Sequence, residues 1–483
     1  MLQQLFRKKS IQSIQAIEGD QEHHLKRTLS AFELTCLGIG AIIGVGIFVI
    51  TGTASARFAG PGIMLSFVLS MFACIFAALC YAEFASVLPV AGSAYNYSYA
   101  TLGELFAWIV GWDLVLEYVV VSIAVAIGWS GYFVNIIKAM GINLPVWCSA
   151  PPGSVPGAVI NLPAAAIVLL LTGLLVLGIK NSARFTTLLV AIKIIAVLVF
   201  LGVGFSHVNP ANWTPFMPFG FKGIMTGAAI VFFAYIGFDA ISTAAEETKN
   251  PQRNLPISII TSLLVCTVLY IAVSAVLTGI VSYTQLDNSA PVANALSSIG
   301  FRWSSALVST GAITGITSVL IVMLIGQPRI FFAMSRDGLI WPWWSKVHPK
   351  YKTPYRTQIL CGLAVSFFAA FINIGTAAEL ANIGTLFAFS LVCGGIIMLR
   401  YTEPDLHRSF RCPFVPVIPL LGIVTCGSLM ASLPLATWIR FVVWFLLGIA
   451  IYLLYSRKHS VLANNNGNNN GLIAEAATLS PPL

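Results

Sequence analysis

The chain has 483 residues, 58% hydrophobic and only 9% charged, with a formal net charge of +9. Soluble domains carry about a quarter charged residues, so this composition excludes an ordinary soluble fold. The basic excess does not mark a nucleic-acid binder either, because of where the charges fall.

Residues 1–30 are polar and read as a cytoplasmic tail without a cleaved signal peptide. Twelve apolar runs follow, at about 31–52, 63–88, 97–127, 158–179, 185–206, 222–245, 256–282, 304–334, 358–375, 379–399, 413–432 and 437–455. Each is long enough to cross a bilayer, so the expected class is an all-α membrane protein with twelve transmembrane helices. With the N-terminus inside, 20 of the 26 Lys and Arg fall on that side and five on the other (Arg57, Lys138, Lys222, Arg302, Arg440). This asymmetry predicts a multi-pass protein of the cell (inner) membrane with both termini cytoplasmic. The bilayer is its partner; nucleic acid is not. Nine cysteines, mostly in apolar runs, and six histidines away from run centres predict free thiols, no metal and no cofactor. Residues 459–483, with NNNGNNN at 464–470, read as a disordered cytoplasmic tail.

The first run contains GIGAIIGVGIF, with Gly38, Gly40, Gly44 and Gly46 near its middle. Each glycine costs a helix interior roughly 1 kcal/mol relative to alanine. The sixth run carries VFFAYIGFDAIS at 231–242, with Gly237 and Asp239 just past its middle. Ile42 to Phe233 and Gly46 to Gly237 are both steps of 191 residues, and five runs fill that step. An odd number of crossings inverts the second unit. The expected organisation is two inverted five-helix repeats, 31–206 and 222–399, followed by two further helices over 413–455.

A helix broken at the midplane frees backbone groups that must line a cavity or meet a ligand. The stretch Ile42, Ile43, Gly44, Val45 and Gly46 is the first expected break. The amides of Val45, Gly46 and Ile47 would open a half-helix suited to a carboxylate. The carbonyls of Ile42, Phe233, Ala234 and Ile236 would accept from an ammonium. Together they describe a receptor for a zwitterion such as an α-amino acid. The competing reading is plain helix packing, since Gly40 and Gly44 form a GxxxG pair.

These residues, with CYAEFASVLPVAGSAYNYSYATLGELFAWIVGWDLVLEY (80–118) and FFAYIGFDAISTAAEETKNPQRNLP (232–256), resemble amino acid permeases of the amino acid–polyamine–organocation superfamily. The resemblance is to the bacterial twelve-helix form of the cationic amino acid transporter branch and runs from about 31 to 458. It implies the LeuT-like fold of inverted repeats and amino acid binding at the breaks of the first and sixth helices. Val45 departs from the hydroxyl residue that many relatives carry there, which leaves a backbone contact but no side-chain one.

Lys193 sits at the centre of the fifth run, where insertion costs roughly 2.5–3.5 kcal/mol, and is a functional-site candidate by default. A lysine there is a candidate to bind and release a proton during a transport cycle. The resemblance implies that its ammonium stands where sodium-coupled relatives hold a cation, with Thr317 and Ser318 matching the eighth-helix hydroxyls of that site. A structural lysine bonded to carbonyls of the first helix is the compatible alternative. Asp113 and Glu117 share one helix face. Glu117 either joins Lys193 and Asp239 in a proton-linked network, holds a cationic substrate, or is a structural carboxyl. Asp239 alternatively caps the second half-helix. Glu246, Glu247, Lys249 and Arg253 would face the RDG of 336–338 as an inner gate, with Glu83 a further member, or form a solvated loop. Phe233 is the expected aromatic lid. The resemblance places Met323 where a substrate side chain ends, favouring small neutral amino acids such as alanine, unless it is core filler.

Parallel-halved facilitators would carry a basic loop after the second run, whereas 87–103 has no Lys or Arg. No reactive constellation argues for an enzyme. An amino acid exchanger or uniporter of arginine and lysine, and a non-transporting sensor, remain rivals. Cys148 in the loop after the third run is expected to be a free thiol, with no obligatory protein partner. The expectation is an importer of amino acids driven by proton symport.

Overall fold

The computed structural model describes residues 7–9, 29–88, 93–177, 183–346, 348 and 354–462. No strand forms among them. The helices of 12 or more residues are α1 (Ala31–Ile42), α2 (Ile63–Val87), α3 (Glu104–Ala139), α4 (Leu162–Val176), α5 (Ala183–Phe205), α6 (Gly220–Val231), α7 (Pro251–Ile280), α8 (Arg302–Arg336), α9 (Tyr355–Phe371), α10 (Ile374–Thr402), α11 (Val417–Ala431) and α12 (Leu435–Ile451). Eight helical stretches are long and apolar enough to cross a membrane, and α1, α4, α9 and α11 are shorter apolar helices. The chain is a multi-pass membrane protein.

Several boundaries differ from expectation for local reasons. The third helix runs over 104–139, not 97–127, because Gly103 takes φ +102° and separates it from a short helix, Ser93–Thr101. The first run continues helically past 52 to Ala59 and stops at Gly60, φ +60°, ahead of Pro61. α11 starts at Val417, behind Pro416, rather than at 413. The asparagine-rich tail, and the side chains of Glu246 and Glu247, lie outside the described residues.

The long α3 forms the centre, packed against α8 and α10; α5 packs on α8, α7 on both α1 and α2, α9 on α4 and α11 on α10. Backbone groups released inside this apolar bundle find side-chain partners. Pro328 inside α8 cannot donate to the carbonyl four residues back, and Gln358 Nε2 takes that Leu324 oxygen at 3.1 Å. Both ends of the described chain meet at one end of the bundle, where Ser460 Oγ donates to Glu104 and Glu104 N donates to Arg7 O at 2.9 Å.

Candidate binding site between two broken helices

α1 closes its last turn with Ile43 N on Ile39 O at 3.0 Å, after which Ile43 is extended at φ −73°, ψ 105°. Helical structure resumes as a wide π turn, Gly46–Ile50, and Phe48 N reaches back to Gly44 O at 3.4 Å. The amides of Val45, Gly46 and Ile47 therefore open the second half without a preceding turn to accept them. Opposite, α6 ends at Val231 and a 3-10 turn, Phe232–Tyr235, follows. Ile236 is extended, Gly237 takes φ +117°, and a second 3-10 stretch begins at Asp239.

The two interruptions touch through backbone. A Cβ on Gly46 would stand 2.4 Å from Cα of Ala234, and one on Gly237 would stand 2.9 Å from the Ala41 carbonyl. Each break leaves carbonyls that its own helix no longer serves, and residues absent from the sequence-level site supply the donors. The Tyr270 hydroxyl lies 2.9 Å from Ile42 O and 2.7 Å from Ala234 O, joining the two breaks. Asn382 Nδ2 donates to Ala229 O and Ile230 O at the end of α6. A tyrosine in α7 and an asparagine in α10, each in an apolar run, were the sequence signal for both.

Lys193 is fully buried. Its Nζ donates to Gly40 O at 2.5 Å and Ile43 O at 2.9 Å, on either side of the end of α1, and lies 3.4 Å from Ser318 Oγ on α8. Three acceptors match the three donors of an ammonium. Thr317 is not among them. It receives Trp129 Nε1 at 3.0 Å and donates to Ile313 O, because neighbours on a helix point about 100° apart.

The lysine's three donors are spent on α1 and α8, which leaves none for Glu117 or Asp239. Glu117 lies beside the Thr385 hydroxyl and faces Asp239 and Asp113. The amides of Gly237, Asp239 and Ala240 surround the Asp239 carboxyl, a local capping arrangement. Both Asp113 oxygens are buried without a hydrogen-bond partner among the described residues. Phe233 and Met323 are buried, at 5% and 3% exposure. Val45 turns its side chain to α3, where a Cβ on Gly128 would stand 2.5 Å from it, so only its amide remains for the gap. Val319 of α8 packs against Gly44.

At the terminus-bearing end the buried charges are paired within the bundle. Glu83 is fully buried. It accepts two bonds from Arg400, both 2.8 Å, stands 3.0 Å from Arg408 Nε and caps the Cys412 amide at 2.7 Å. Asp337 of the RDG is taken by Lys9, 2.6 Å, and by the Tyr95 hydroxyl, 2.7 Å. Cys148 is buried and unpaired, its thiol turned to Pro145 O.

The family model described as amino acid permease matches residues 29–466. The chain is 53% identical over 461 residues to the branched-chain amino acid permease BcaP of Bacillus subtilis (strain 168), covering 95% of this chain and 99% of the relative. It is 52% identical over 458 residues to the methylthioribose transporter of the same organism, with the same coverage. To the chloroplastic cationic amino acid transporter 9 of Arabidopsis thaliana it is 35% identical over 518 residues, covering 93% and 90%.

Proposed function

Because the chain belongs to the amino acid permease family, within the amino acid–polyamine–organocation superfamily, we propose that it imports neutral L-amino acids by proton symport with alternating access. The α-carboxylate meets the amides of Val45, Gly46 and Ile47, and the ammonium meets carbonyls at the two breaks. In this assignment the organisation is two inverted five-helix repeats plus two helices, in the cell membrane, with both termini cytoplasmic.

The bonds of Lys193 carry the coupling. As an ammonium it holds Gly40 O, Ile43 O and Ser318 Oγ together and so ties the end of α1 to α8. A neutral amine has two N–H donors, so loss of the proton removes one bond and loosens α1 from α8. Ser318 is the α8 partner in this scheme; Glu117 and Asp239 form a separate carboxyl group on the α3 side.

Among substrates, apolar side chains fit best. Val319 and Met323 offer no charge for a guanidinium or ammonium, and the relative named as a branched-chain amino acid permease supports leucine, isoleucine and valine ahead of alanine. The relative named as a methylthioribose transporter supports a second substrate class, a neutral thiosugar.

The test is labelled L-leucine uptake into sodium-free proteoliposomes with and without an inward proton gradient, in wild type and Lys193→Met, with alanine, arginine and methylthioribose as competitors. Wild type should accumulate leucine with the gradient, while the variant should keep counterflow and lose accumulation. Uptake only into amino-acid-loaded vesicles would make the protein an exchanger. Binding without flux would make it a sensor.

A further inference from the structure

The connection between α3 and α4, residues 140–161, lies at the end of the bundle away from both termini and is built unlike its neighbours. No Asp, Glu, Lys, Arg or His occurs anywhere in 139–179. The other long connections at that end carry His207, with Lys222 in the first turn of α6 behind it, or Asp287, with Arg302 opening α8. Met140, Ile142, Val146, Trp147, Val155 and Val159 are nevertheless exposed, Trp147 at 54% and Val159 at 58%.

Asn143 is exposed, but the other hydroxyls and amides of the loop are bonded within it or to its flanks. Ser149 and Ser154 donate to the carbonyls of Val146 and Pro151, and the Asn161 oxygen accepts from Ser130 Oγ and Ala164 N. The loop is also folded on itself, with Val159 N and Ile160 N both on Trp147 O, at 3.1 and 3.0 Å. An uncharged loop that exposes six large apolar side chains and spends its serine hydroxyls on its own carbonyls is not what water selects.

The following helix supplies the reason. α4 has 15 residues. At about 1.5 Å per residue it spans about 22 Å, short of a hydrocarbon core of about 30 Å. Its flanks must fill the remainder, and Ala158, Val159 and Ile160 stand just before its cap, Asn161. The surface is continuous with the membrane-facing flank of α4, where Leu169 and Leu170 are exposed.

We infer that residues 140–161 are an interfacial anchor, seated in the headgroup–acyl boundary of the leaflet away from the termini, with Trp147 at the interface and Val155 and Val159 in the acyl region. The occupant of this surface is lipid. Indole rings favour that depth, and an uncharged loop pays little to leave water there.

The test uses full-length protein in nanodiscs of phosphatidylethanolamine and phosphatidylglycerol, open to solvent on both faces. Cys36→Ser removes the half-buried native thiol, and a nitrobenzoxadiazole probe is placed at Val159→Cys or, as reference, at Gln285→Cys, with Val155→Cys as a second loop site. The loop probes should emit to the blue of the reference, be quenched by shallow nitroxide lipids, and be quenched about fivefold less by iodide. Iodide quenching equal to the reference would put the loop in water and overturn the inference. Shielding from both quenchers would mean protein covers it, and would overturn it equally; cross-linking would identify a second copy.

Discussion

Lys9 and Asp337, 328 residues apart, form an ion pair of 2.6 Å with side chains only 12% and 9% exposed. The ammonium also lies 5.0 Å from the Tyr99 ring, and Lys9 N donates to Tyr99 O at 3.3 Å. A short piece of N-terminal chain is thus strapped across the turn before α3 and the end of α8. Breaking a buried pair from one side leaves an uncompensated charge and costs about 3 kcal/mol or more, whereas removing both partners costs less. Here Tyr95 still serves Asp337, so the lower end applies. Lys9→Ala should lower the melting temperature more than the double variant Lys9→Ala/Asp337→Ala. Additive losses in a thermal-unfolding cycle would show that the pair is not coupled.

The backbone contact between the breaks makes a sharper demand. Gly46→Ala puts a methyl 2.4 Å from the Ala234 Cα, a distance no Cβ tolerates, so one broken helix must move away from the other. Gly173→Ala in α4 meets nothing within 4 Å and should gain roughly 0.5–1 kcal/mol from helix propensity. Leucine uptake should be lost in the first variant and retained in the second, with both proteins inserted and monodisperse. Normal uptake by Gly46→Ala would mean that the two breaks do not meet in the working protein.

Glu83 joins α2 to α10 and the loop behind it, holding two guanidiniums and one amide. Arg408 is 1% exposed in its side chain and Arg400 25%, so losing the shared carboxylate strands one cation in a dry site. Glu83→Gln should therefore destabilise by about 3–5 kcal/mol. Arg400→Lys, which loses the two-pronged geometry but keeps a charge, should cost less than half of that. Equal effects in a melting assay would contradict this ordering.

What the sequence made legible follows from how local the physics is. Apolar runs mark helices directly, and two glycine-interrupted runs at equal offset marked both breaks, because a break is written in its own residues. Lys193 stood out for the same reason: charge in a hydrocarbon run needs no neighbour to be conspicuous. Partners were not legible. The sequence offered Glu83 no fixed partner, and it meets Arg400 and Arg408, since which helix ends adjoin is set by packing. Thr317 and Ser318 differ by one residue, yet the helix turns one to Trp129 and the other to Lys193. Tyr270 and Asn382 carry no such mark of their own, although freed carbonyls at a break need donors. Those donors come from the neighbouring helices α7 and α10.

Tyr270 ties the two breaks together. Its hydroxyl has one proton and two carbonyl acceptors within 2.9 Å, one on each broken helix. Phenylalanine there keeps the ring against Phe67 and Tyr235 and removes only the tie. Losing such a buried hydrogen bond costs roughly 1–3 kcal/mol. Tyr235 supplies the control, since its hydroxyl donates to Phe67 O at 3.0 Å in the same aromatic group without linking the breaks. Tyr270→Phe and Tyr235→Phe should lower the melting temperature by similar amounts, because each removes one buried donor. Transport should separate them: leucine KM should rise roughly tenfold in Tyr270→Phe, corresponding to about 1.4 kcal/mol, and stay near wild type in Tyr235→Phe. Matching kinetic losses in the two variants would reduce Tyr270 to packing and leave the carbonyls at the breaks to be aligned by something else.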